Sequence, residues 1–185
     1  MQAKILIGLG NPGDAYAGTY HNAGWEILDF FKKNLEERYG PAAAKSGKGF
    51  HFHQYGPYHL VYPDTYMNLS GEAVKSALAW FGGHPLQTVI FHDDSDLALG
   101  EYKAGLLSQS GDAGHHGISS IKGAASGTEA AAITRVRIGV RDPLEISGER
   151  PRRKAGVFVL KRMSKTDRER LEKVFQELTE RFLKD

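Results

Sequence analysis

Lys4-Ile-Leu-Ile-Gly-Leu-Gly-Asn-Pro-Gly13 (KILIGLGNPG) decides how the rest of the chain is read. Ile5, Leu6 and Ile7 form a short apolar, β-branched run with no helical period, which predicts a buried, central strand. The glycines and Pro12 behind it let the chain turn sharply at the strand end, with the Asn11 amide held toward a cleft. Working outward, Asn22 is positioned to cap a helix whose apolar residues Trp25, Leu28, Phe31 and Leu35 recur at helical spacing, and Gly40-Pro41 ends it. Phe50 to Gln54 and His59 to Tyr62, separated by Gly56-Pro57, read as an antiparallel hairpin. A second helix carries Leu69, Ala73, Val74, Ala77, Leu78 and Phe81 on one face, with Glu72 near its positive end and Gly82-Gly83 as its stop.

Val89 to Phe91 is another apolar run, and it delivers His92-Asp93-Asp94 to a strand end, where open α/β sheets place functional groups. Tyr102 to Leu107 and Arg135 to Val140 read as further strands, Gly156 to Leu160 as an edge strand, and a short helix starts near Ile118. Ser164 and Asp167 form a capping pattern ahead of Leu171, Val174, Phe175, Leu178 and Phe182, the clearest helical period in the chain. The sum is an α/β fold: one three-layer domain spanning residues 1–185, with a mixed, mostly parallel twisted sheet and helices on both faces.

Composition narrows the chemistry. The 185 residues suit a single domain at roughly 150 residues each. With 41% hydrophobic residues they can bury a sizeable core, and no apolar stretch approaches the ~18 residues of a membrane span. A cytoplasmic, membrane-free protein is expected. The absence of cysteine excludes thiolate nucleophiles, disulfides and CxxC zinc sites. The net charge is only +2, but Ile133 to Arg162 holds nine Lys or Arg against three Asp or Glu, a local +6. Such asymmetry points to an anionic partner, nucleic acid before membrane.

Three motifs invite a chemical reading. Gly8 to Gly13 satisfies GxGxxG after a strand, a dinucleotide signature, but the residues after Gly13 lack the amphipathic period of a phosphate-facing helix. His92-Asp93-Asp94-Ser95-Asp96, with His51 and His53 or His115 and His116, permits a divalent-metal cluster without requiring one. His21 taken alone reads as a structural histidine.

Taken in order, the motifs resemble a known family. Gly8-Leu9-Gly10-Asn11-Pro12-Gly13 with Tyr16, His21-Asn22-Ala23-Gly24, Tyr66-Met67-Asn68-Leu69-Ser70-Gly71, His92-Asp93 with Asp96-Leu97, and Arg137-Ile138-Gly139 together look like a bacterial-type peptidyl-tRNA hydrolase along nearly the whole chain. The resemblance implies hydrolysis of the ester joining a peptide to the 3′-terminal ribose of tRNA, with no metal and no organic cofactor. It implies His21 as base, Asp93 as its partner, and Asn11 as a discriminator of N-blocked from free aminoacyl groups. Tyr16, Tyr66 and Asn68 fall at tRNA-contacting positions, and Met67 can pack against substrate.

The chemistry is coherent independently. An ester needs a positioned water, a base with a pKa near neutrality and a donor for the carbonyl oxygen. A carboxylate on one ring nitrogen of His21 fixes the tautomer and raises the imidazole pKa. A single-stranded CCA end can splay over Tyr16 and Tyr66, while an acceptor stem is held through phosphates, for which Lys103 and Arg135 are candidates and the Arg150 to Lys154 cluster an addition. A monomer acting on peptidyl-tRNA is expected.

The chain departs from the family at Ala113-Gly114-His115-His116-Gly117, where His116 stands in place of a substrate-contacting asparagine, and at Gly105, where a basic residue is common. These departures keep an alternative open: a non-hydrolytic RNA-binding paralogue on the same scaffold.

Overall fold

A computed structural model describes residues 4–83, 87–109, 111–124 and 131–184. The described strands form one seven-stranded sheet in the order β2-β3-β4-β1-β5-β7-β6. They are β1 (Lys4–Gly8), β2 (Lys45–Gly47), β3 (Phe50–Tyr55), β4 (Tyr58–Pro63), β5 (Thr88–Ala98), β6 (Tyr102–Leu106) and β7 (Thr134–Arg141). The four inner strands β4, β1, β5 and β7 run parallel, whereas β2, β3 and β6 add antiparallel ladders at the two sides. The sheet is therefore mixed, with its parallel part confined to the centre.

Alternation along β1 explains why its run is apolar throughout. Leu6 faces the layer made by α1 (Ala23–Tyr39) and the C-terminal helix, joining Leu28, Phe31, Phe91 and Val174. Ile5 and Ile7 face the opposite layer, made by α2 (Ser70–Trp80) and α3 (His116–Ala124), with Val74, Ile90, Ile118 and Ile121. The remaining described α-helices are α4 (Pro143–Ile146), α5 (Ala155–Phe158) and α6 (Lys165–Phe182). Ser164 caps α6 as the sequence predicts, its hydroxyl accepting from the Asp167 amide at 3.1 Å.

Two close approaches set the position of α1. A Cβ on Gly8 would collide with the Gly24 carbonyl, and one on Gly24 would lie 2.5 Å from the Leu9 amide nitrogen. The first turn of α1 thus lies directly on the end of β1. Gly13, at φ 98°, turns the chain back. The glycines of the GxGxxG match serve packing and turning, and Pro12 to Thr19 forms turns rather than a helix.

Several expectations need correction. Gly156 to Leu160 is not an edge strand. Ala155–Phe158 forms a helical turn, and Phe158 is buried beneath the guanidinium groups of Arg141 and Arg153, so tertiary contacts override the β-branched composition. Asn22 precedes α1 but makes no capping bond, because its side chain serves the Asn11 loop. The strand expected at Val89 to Phe91 extends through Ala98, with an irregularity between Asp94 and Ala98. Among the described residues no helix is long and apolar enough to cross a membrane.

Candidate active site

Parallel neighbours β1 and β5 end side by side, and their carboxyl ends open into a cleft of about 580 Å³. β1 delivers Asn11, β5 delivers Asp93 and Asp94, and a single helical turn over Tyr20–Asn22 brings His21 across them. Tyr66, Met67 and Asn68 close one side with Tyr16, while His115 and His116 enter from the start of α3. Ala155, Gly156, Val159 and Leu160 form an apolar wall.

The centre is a shared carboxylate oxygen. His21 Nδ1 lies 2.8 Å and His115 Nε2 2.9 Å from Asp93 Oδ1. The Ile118 amide donates to His115 Nδ1 at 3.3 Å, so the proton of that ring sits on Nε2 and is donated to Asp93. His21 likewise donates from Nδ1, which leaves its Nε2 as the basic nitrogen in the cleft. Burial alone would raise the Asp93 pKa, but the charge and hydrogen bonds of the two imidazoles outweigh it and hold the carboxyl well below its ordinary range. For His21, burial disfavours the imidazolium, yet Asp93 overcomes it and raises the pKa above 6.5.

A second layer fixes Asp93 from behind. His92 is fully buried; its Nδ1 donates to the Asp93 carbonyl at 2.6 Å and its Nε2 accepts from Arg135 Nε at 2.8 Å. Burial, then the neighbouring His115 and Arg135, hold His92 well below the usual histidine pKa, so it stays neutral. Arg135, expected to be a phosphate contact, is instead only 1% exposed and also donates to the Gly111 carbonyl at 2.6 Å. It ties the loop ahead of His115 to β5 and faces inward, away from any ligand on the surface. Lys103 is exposed on edge strand β6, in register with Arg137, outside the cleft wall.

Asn11 is held by three bonds. Its backbone exchanges hydrogen bonds with the Asn22 side chain at 2.9 and 3.0 Å, and its Oδ1 accepts from the Met67 amide at 2.7 Å. With its oxygen thus engaged, the amide presents its NH2 to the cleft. Tyr16 and Tyr66 meet edge to face at 6.2 Å, Tyr66 being 55% exposed and Met67 buried beside it. His116 is exposed at the cleft margin.

Among the described residues the one His/Asp/Glu trio that converges is His21, Asp93 and His115. Both ring nitrogens facing Asp93 carry protons, and a metal would need those same nitrogens deprotonated. Two other histidines of the metal reading lie elsewhere: His51 pairs with Asp64 at 2.6 Å, and His53 bonds the Ala42 carbonyl, both on β3.

Geometry and sequence now meet. A family model described as Peptidyl-tRNA hydrolase matches residues 5–184. The chain belongs to the peptidyl-tRNA hydrolase family. It is 34% identical to the peptidyl-tRNA hydrolase of Haemophilus influenzae (strain 86-028NP) over 180 residues, covering 97% of this chain and 88% of that one. It is 39% identical to that of Synechococcus sp. (strain CC9605) over 162 residues, covering 80% and 70%. A crystal structure of peptidyl-tRNA hydrolase from Acinetobacter baumannii shares its fold with a TM-score of 0.70 and 25% identity, over 94% of this chain and 83% of that one.

Within this member of the peptidyl-tRNA hydrolase family, sequence reasoning missed the roles of two residues. His115, read from sequence only as a candidate metal ligand, is a second donor to Asp93. Asn22 holds Asn11, and the expected cap obscured that role.

Proposed function

We propose that this chain hydrolyses the ester between an N-blocked peptidyl group and the 3′-terminal ribose of tRNA, with His21 as general base. The observation that carries the reading is the hydrogen bond between His21 Nδ1 and Asp93 Oδ1 at 2.8 Å, beside an Asn11 amide fixed in one orientation. A water between His21 Nε2 and the ester carbonyl loses its proton to the ring while its oxygen attacks the carbonyl carbon. Asp93 stabilises the imidazolium, and the proton is then returned to the departing ribose oxygen, giving free tRNA and a peptide carboxylate. Asn11, through its NH2, is the donor for the substrate carbonyl, and Asn68 holds the peptide backbone. Tyr16 and Tyr66 offer ring faces to the unpaired CCA bases, with Met67 packed below and His116 at the substrate margin. Lys103 contributes to acceptor-stem binding. No metal or organic cofactor takes part, and the protein acts as a cytoplasmic monomer.

The test is incubation of the purified chain with N-acetyl-aminoacyl-tRNA. Release of the N-acetyl amino acid, abolished in His21→Ala while tRNA binding persists, is the expected result. Tight RNA binding by the wild-type protein without cleavage would instead establish a non-hydrolytic RNA-binding protein. Because the His21 pKa is raised, its basic form accumulates only above 6.5, so activity should climb with pH through that raised value and then level off.

A further inference from the structure

A second cavity, of about 520 Å³, adjoins the turn that carries His21. Tyr20 lines this cavity and His21 the cleft, and the two linings share no residue. Its volume falls within the roughly 300 to 1,000 Å³ of small-molecule sites. The floor is apolar. Leu99 and Val140 belong to the buried core, and Pro143 and Leu144, half-buried at the start of α4, line the same space. Around them stand three guanidinium groups, of Arg150, Arg153 and Arg170, and two carboxylates, of Asp142 and Asp167.

Both carboxylates already have donors within the protein. Asp142 caps α4 by accepting from the Leu144 amide at 3.0 Å, and it pairs with Arg150 at 2.7 Å. Asp167 accepts from the Tyr20 hydroxyl at 2.6 Å and the Ser164 hydroxyl at 2.7 Å. Arg153 is committed to Glu145 and to the face of the Phe158 ring. Arg170 differs: it is exposed on α6, and its guanidinium has no hydrogen bond or ion pair among the described residues. Arg150 stays 61% exposed in its pair with Asp142, an arrangement that water screens and a stronger acceptor can replace. With its acids occupied and Arg170 lacking an acceptor, the cavity offers donors above an apolar floor. The ligand that matches is an anion with an apolar body. A carboxylate has two oxygens, which one guanidinium fork uses up, whereas a phosphate has three and can accept from forks on two elements, here α6 and the loop after α4.

We propose that this cavity is a second ligand site, for a small organic phosphomonoester whose head is held by Arg170 and Arg150 and whose flat, apolar body lies on Leu99, Val140 and Leu144. The site is separate from the cleft, and its occupancy does not depend on the hydrolase reading. It is tested by titrating the methyl-labelled protein with phenyl phosphate and following methyl resonances by NMR. Leu99, Val140 and Leu144 report on this cavity, whereas Met67, Val159 and Leu160 report on the cleft. The first group should shift saturably, with a Kd of about 1 mM or below. Arg170→Gln removes a charged donor from an exposed position and should weaken binding about tenfold, while Lys33→Gln, an equal charge loss on the exposed face of α1, should leave it unchanged. Inorganic phosphate, which has no body to cover the floor, should bind at least about tenfold more weakly. Saturating uncharged tRNA should leave the shifts in place. Shifts confined to the cleft methyls, or none at all, would overturn the proposal. So would full affinity in Arg170→Gln, equal binding of inorganic phosphate, or displacement by tRNA, the last of which would make the cavity part of the RNA-binding surface.

Discussion

Replacing Asp93 by Asn separates the charge of the carboxylate from its geometry. His21 Nδ1 and His115 Nε2 both donate to Oδ1, so an asparagine placed with its carbonyl oxygen there keeps both bonds, whereas the flipped amide would set two N–H groups against a third. The imidazole orientation therefore survives while the negative charge is lost. Opposite unit charges about 4 Å apart at an effective dielectric near 20 attract by about 4 kcal/mol. That attraction acts on the imidazolium formed as water is deprotonated. Allowing for a carboxylate shared with His115, a loss of about 3 kcal/mol and a fall in kcat of about a hundred- to a thousandfold are expected. Burial, no longer opposed, should also move the His21 pKa from above 6.5 to below it. Steady-state cleavage of N-acetyl-aminoacyl-tRNA across the neutral pH range measures both effects, alongside tRNA affinity. The residual activity should reach its plateau at lower pH than in the wild-type protein, with tRNA binding little changed. A kcat within a few-fold of wild type, or an unmoved pH midpoint, would refute the orienting and charge-stabilising role of Asp93.

Gly24→Ala sets a methyl group against backbone atoms of Leu9 and Phe91 that cannot move independently. Despite the gain in helix propensity, a net loss of about 2 kcal/mol is expected, visible as a Tm lowered by roughly 4 to 8 °C in thermal unfolding. His116→Asn restores an amide at an exposed cleft position, so KM for N-acetyl-aminoacyl-tRNA should fall or stay level. Abolished turnover would assign this imidazole a task of its own. Dialysis against a chelator should leave the rate unchanged, since His21, Asp93 and His115 satisfy one another by hydrogen bonds. A loss reversed by adding a specific divalent ion would overturn that prediction.

The layer architecture was legible because single periods dominate its elements: the unbroken apolar run of β1 and the helical spacing from Leu171 to Phe182 each admit one reading. Where two physical demands compete, local pattern misleads. Gly156 to Leu160 has strand composition, but Phe158 is buried under two guanidinium groups, and that contact selects a helical turn. Arg135 shows the same limit for charge. As a cation near other cations it suggests a phosphate contact, yet the buried acceptors His92 Nε2 and the Gly111 carbonyl draw it inward. A buried polar atom without a partner costs about 1 to 3 kcal/mol, so such partners have to be found somewhere, and linear sequence does not say where.

The residues of the site divide along the same line. His21, Asp93 and Asn11 stand in contiguous motifs, but what gives them chemical capacity comes from residues distant in sequence with no motif of their own in this role. Ile118 donates to His115 and so fixes which of its nitrogens is protonated; His115 then occupies the Asp93 oxygen jointly with His21. Met67 engages the Asn11 oxygen and thereby leaves the NH2, not the carbonyl, as the free group of that amide. Each is a choice of donor or acceptor made by one backbone N–H. Backbone amides are chemically identical along the sequence, and only the fold decides which of them reaches a functional side chain. Tautomer and amide orientation in this cleft are thus tertiary properties, even though the residues bearing them can be picked out from sequence.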